Sequence, residues 1–128
     1  MPENAPALSS SERAALEALI ATEREKVAAQ VDALQRDFDA IVDGADLGTP
    51  DDEHDPEGAT LAFERSQISA LLSRARVRLA DLDWAEDELA RGTYGVCRRC
   101  GSPIALERLE VLPAAQHCVA CASAVRGR

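Results

Sequence analysis

Two Cys-x-x-Cys pairs constrain this chain more than any other feature. Cys97-Arg98-Arg99-Cys100 is followed, after seventeen residues, by Cys118-Val119-Ala120-Cys121, and no other cysteine is present. Each pair has the spacing of a metal knuckle, and four thiolates close a tetrahedron with metal–sulfur distances of about 2.3 Å. Gly95 and Gly101 flank the first pair and supply the backbone freedom that such turns need. The reading is a structural Zn²⁺ site on Cys97, Cys100, Cys118 and Cys121. Four protein ligands leave no coordination position for water or substrate, so this metal holds the fold rather than doing chemistry. Two disulfides, a redox Cys-x-x-Cys or an iron–sulfur cluster are the alternatives. The first needs an oxidising compartment, the second leaves one pair unexplained, and the third usually uses other spacings. His117 adjoins Cys118 and reads as a neighbour of the site rather than a ligand.

The rest of the chain reads as helix. Ser9 and Glu12 stand at capping-box spacing. Ile20, Val27, Val31, Leu34, Phe38 and Ile41 then recur in steps of three, four and seven, tracing one stripe. A second stripe runs through Leu61, Ile68, Leu72, Ala75, Leu79, Leu82 and Leu89 until Gly92 ends it. One narrow stripe on a helix of about thirty residues demands a partner, and each stripe supplies the other's. The expected fold is therefore mainly α: a long antiparallel coiled-coil hairpin with a C-terminal four-cysteine zinc-finger module. The expected organisation is a disordered arm at 1–8, the coiled coil at 9–92, and the zinc module with a short C-terminal helix at 93–128. Trp84 lies off the seam and is expected to pack on the zinc module.

Between the stripes, residues 43–58 hold seven acids, three glycines and two prolines, which predicts a break in both helices and an acidic tip. Net charge is −9 overall. Acids dominate the first half, whereas residues 97–128 carry five arginines against two glutamates. Four thiolates on one Zn²⁺ bring that local excess down to roughly +1. With aromatics at only 3%, the chain lacks both the basic footprint and the stacking surface of a nucleic-acid binder. No apolar run approaches a membrane span, and the N-terminus has no signal-peptide pattern. A cytoplasmic, monomeric protein is expected. Nothing in the sequence resembles a catalytic set, so no enzymatic activity is expected.

Gly-Thr-Tyr-Gly-Val-Cys-Arg-Arg-Cys-Gly at 92–101, Ile104, Arg108-Leu109-Glu110, Pro113-Ala114-Ala115 and the second cysteine pair together resemble the zinc-finger signature of the DksA/TraR family. The resemblance implies a bacterial transcription regulator that binds RNA polymerase rather than DNA. It implies a coiled coil entering the secondary channel, with its tip approaching the active centre. Family members of the DksA type carry Asp-x-x-Asp-x-Ala at the tip. Counting from the first cysteine puts His54, Glu57 and Ala59 on those positions, and a one-residue gap puts Asp55 in place of His54. Arg74 and Arg108 match basic positions that face polymerase. Asp81, Leu112 and Ala122 fall where the family's ppGpp pocket has basic residues, which implies regulation independent of ppGpp. The competing readings are a zinc-ribbon nucleic-acid binder using Arg98, Arg99, Arg108, Arg126 and Arg128, or a structural coiled-coil adaptor.

Overall fold

The computed structural model describes residues 8–46 and 56–126. Four helices follow in order: α1 (Ser10–Asp46), α2 (Pro56–Arg91), α3 (Leu106–Val111) and α4 (Val119–Arg126). The start of α1 is a reciprocal cap. The Glu12 N–H donates to Ser9 Oγ at 3.1 Å, and the Ser9 N–H donates to Glu12 Oε1 at 2.8 Å. Two N–H groups that the helix leaves unpaired are thereby satisfied. At the other end of the pair, Gly92 takes φ +78°. Its N–H bonds the Leu89 carbonyl and the Thr93 N–H bonds the Glu88 carbonyl, the two crossed bonds of a Schellman stop.

Two boundaries differ from the sequence reading. α1 does not stop near residue 42 but continues through Gly44 to Asp46, and α2 already begins at Pro56. A glycine inside a helix costs only about 1 kcal/mol, which a continuing ladder offsets. A proline fits the first helical position, where its missing N–H would have had no partner anyway. Of the acidic segment, residues 47–55 lie outside the described residues.

The chain divides into two compact units, Met1–Arg24 with Ala80–Arg128, and Glu25–Leu79. Both long helices contribute to both units, so the division cuts across the helix pair rather than between it and the cysteine module. In the first unit α1 and α2 run antiparallel. Arg13 Nη2 donates to the Leu89 carbonyl at 2.9 Å, while Arg24 meets Asp83 and lies 3.5 Å from Glu86. Leu16, Ile20, Leu82, Ala85 and Leu89 are buried there, together with Tyr94, Cys97, Ile104 and Leu109 from the module. Each fully buried Leu or Ile contributes about 1.5–3 kcal/mol. Leu112 is 47% exposed, because α3 ends at Val111 and the chain turns at Pro113.

The second unit is packed more sparsely. Its helices also run antiparallel, with Arg76 donating to Gln35. Val27, Leu72 and Ala75 are its buried apolar residues. An open groove of about 390 Å³ lies against Phe38, lined from α2 by Ala62, Arg65, Ser66, Ser69 and Ser73. Small side chains opposite a phenylalanine leave that space unfilled. Every residue of the two sequence stripes is buried or half-buried, while Phe63, Leu71 and Val77, off the stripes, are exposed. Among the described residues no helix is long and apolar enough to cross a membrane.

Candidate metal centre

The first cysteine pair sits in a tight hairpin. Val96 and Pro103 form an isolated antiparallel bridge, and the Ile104 N–H returns to the Gly95 carbonyl at 2.8 Å. Within it the Cys97 N–H bonds the Ser102 carbonyl and the Gly101 N–H bonds the Cys97 carbonyl. Gly95 and Gly101 hold φ +87° and +77°, the left-handed values that the knuckle reading asked of them. A Cβ on Gly95 would meet Leu109 and Leu8 only at ordinary contact distance, 3.5 Å, so the positive φ is what calls for glycine there. The second pair is carried by helix. Cys118 accepts the Ala122 N–H at 2.8 Å on its carbonyl, and Cys121 lies in the first turn of α4. The short C-terminal helix begins at Val119, so the second knuckle is itself a helix start.

These two supports bring all four sulfurs within 4.8 Å of one another, with Cys100 Sγ and Cys118 Sγ 3.8 Å apart. Ligands about 2.3 Å from a common centre stand about 3.8 Å apart in a tetrahedron, which the Cys100–Cys118 separation matches. Four soft sulfur donors in this geometry select zinc over harder cations. Cys97 is buried, Cys118 and Cys121 are half-buried and Cys100 is exposed. His117 is not among the converging ligands; its carbonyl accepts Arg108 Nε at 2.9 Å.

The thiols differ in acidity. Burial pushes Cys97 up, but the N–H groups of Cys100, Cys118 and Arg99 outweigh it and bring its pKa down to about 6. Hydrogen bonds from the Ser102 side chain and N–H lower Cys100 as well. Cys121 is pushed up to about 12 by burial and by hydrogen bonds with the other three thiols that favour its protonated form. Two thiolates are thus prepared by neighbouring donors, and a divalent cation compensates the charge of the full set. When bound, Zn²⁺ would be held by Cys97, Cys100, Cys118 and Cys121, and its role is to fix the two knuckles together.

Around this centre lie contacts that sequence reasoning missed. Tyr94 Oη donates to the Pro113 carbonyl at 2.7 Å. Trp84 does meet the module, as expected, through the guanidinium of Arg98, 5.5 Å from its ring centroid. Arg98 Nη1 also donates to Gln116 Oε1 at 3.0 Å. The sole tryptophan beside a cysteine pair holding two arginines was the available signal. Of the other sequence-derived site residues, Arg74 is exposed on α2, and Arg108 is half-buried with its Nε committed to the His117 carbonyl. Ala59 is exposed on α2, Glu57 belongs to the first turn of α2, and His54 and Asp55 lie outside the described residues. Among the described residues, the four cysteines are the site residues that the fold brings together.

Residues 92–126 match the family model of the prokaryotic dksA/traR C4-type zinc finger. Among curated proteins, the chain is 40% identical over 47 residues to an uncharacterized protein of Aquifex aeolicus, covering 37% of this chain and 32% of that protein. It is 39% identical over 64 residues to the uncharacterized protein YteA of Bacillus subtilis, covering 50% and 27%. General stress protein 16O of Bacillus subtilis is 34% identical over 68 residues, covering 53% and 42%. The matched stretches thus span less than half the length of these relatives. The structure of transcription factor DksA2 from Pseudomonas aeruginosa superposes with a TM-score of 0.77 at 23% identity, covering 94% of this chain and 87% of that one. The chain has the fold of DksA2, and its four cysteines lie in the segment that matches the dksA/traR C4-type zinc finger.

Proposed function

We propose that the chain is a DksA/TraR-like transcription regulator that binds bacterial RNA polymerase through the secondary channel, its acidic segment at 43–58 approaching the active centre. The observation that carries this reading is the fold shared with a transcription factor over 94% of the chain, joined to a four-sulfur site that leaves no position for a substrate. The protein then acts by binding and not by catalysis. A carboxylate-rich segment is attracted to a channel that holds cations, and salt weakens that attraction. Arg74, exposed on α2, is available to a partner. Arg108 contributes more through its bond to the second knuckle.

Independence from ppGpp is part of the proposal. Asp81 accepts a hydrogen bond from Gln116, and Leu112 and Ala122 are apolar, so these three positions offer no cation to a polyphosphate. The nucleic-acid reading is the weaker one. Of the five arginines it needs, Arg98 and Arg108 are engaged within the module.

The test is association with core polymerase at low salt, followed by transcription with the Asp55→Asn/Glu57→Gln double variant. The variant is expected to bind polymerase and to lose the effect on initiation. Retention of the full effect would remove the acidic segment from the mechanism. A ppGpp affinity that rises when the protein joins polymerase would overturn the independence.

A further inference from the structure

Two side chains of α2 meet both cysteine knuckles. Arg98, inside the first knuckle, lies over Trp84, and its Nη1 donates to Gln116 Oε1. The Arg98 main-chain N–H donates to the Gln116 carbonyl at 2.9 Å. Gln116 stands two residues before Cys118 and so leads into the second knuckle. Its side-chain nitrogen reaches Asp81 Oδ1 at 3.5 Å. Asp81 and Trp84 are three residues apart on α2 and therefore share one side of that helix.

We infer that Arg98 and Gln116 form a latch that makes zinc binding and docking of the cysteine module on α2 a single coupled equilibrium. Arg98 lies between two ligands and Gln116 two residues before a third, so the ion limits the separation of the two latch residues. The links to α2 are an arginine over an indole and a hydrogen bond at the limit of its range, which are weak separately. They hold only while the two knuckles keep their register, and the metal keeps it. Coupling is reciprocal: whatever zinc does for docking, docking does for zinc. Arg98 and Gln116 are thus positioning residues for the metal, acting through the knuckles. This inference needs no polymerase and stands or falls apart from the proposed function.

Trp84 is the sole tryptophan, so its fluorescence reads the latch directly. The experiment compares acrylamide quenching of the full chain with zinc and after chelation, alongside competition measurements of zinc affinity. In the unaltered protein, chelation is expected to raise quenching as Arg98 leaves the indole, and zinc is expected to reverse it. Arg98→Ala is expected to quench strongly in both states and to bind zinc roughly ten-fold more weakly, the scale seen when groups behind metal ligands are removed. Gln116→Ala, which keeps the main-chain bond, is expected to shift both readouts in the same sense. It decides the matter if Arg98→Ala loses its helical circular dichroism. Arg99→Ala, exposed in the same knuckle, should change neither. Quenching that ignores zinc, or latch variants with unaltered zinc affinity, would overturn the inference.

Discussion

Tyr94 donates its phenolic O–H to the main-chain carbonyl of Pro113 at 2.7 Å, tying the approach to the first knuckle to the end of α3. Tyr94 is only 5% exposed, so both partners would be costly to leave unpaired. Tyr94→Phe keeps the ring and removes the donor. It is expected to lower unfolding stability by about 1–2 kcal/mol, read as a lower denaturant midpoint at unaltered slope.

The same residue sets an alkaline limit. Burial pushes the Tyr94 pKa up from 10.0 to about 12. Its folded value therefore lies above its unfolded one, and the folded state holds a proton that the unfolded chain releases. Stability from this group is complete below about pH 10 and falls between about 10 and 12. Denaturation series across that window should show a shallower decline for Tyr94→Phe than for the unaltered protein.

Zinc should be present at one ion per chain by elemental analysis. Cys97→Ser or Cys121→Ser should abolish tight binding and loosen the module, leaving most of the helical signal of α1 and α2. Acid should release the ion, because protons compete for the thiolates. A cysteine module that stays folded and protected from proteolysis with no bound zinc in the unaltered protein would contradict a structural role.

Ile20, fully buried in the first unit, should be far more sensitive than Val31, half-buried in the second. Ile20→Ala is expected to cost about 2–5 kcal/mol and Val31→Ala markedly less. Native-state hydrogen exchange offers an independent reading. Amides of α1 and α2 within the second unit should exchange sooner than those at 10–24 and 80–91, since few buried apolar contacts protect them.

Much of this was legible in sequence because it rests on local chemistry. Ser9 with Glu12, Gly92, the cysteine spacing and both stripes each act within one or two helical turns. Leu16 was missed: it stands one step of four before Ile20, but an alanine-rich neighbourhood obscured it. The passage of α1 through Gly44 was not legible, because it depends on a small difference between the glycine penalty and the continuing ladder. Nor was the inward bond of Arg108. A guanidinium reads as a surface charge until the path of the loop brings the His117 carbonyl within reach. The link from Arg98 to Gln116 joins residues eighteen apart, and only the closed knuckles make them neighbours.

Polymerase binding is tested most directly by titrating zinc-loaded chain, labelled away from residues 43–59, into purified core RNA polymerase at low ionic strength. Saturable one-to-one association that weakens as salt rises is the expected result. No association at low salt, with zinc bound and the helices intact, would contradict it.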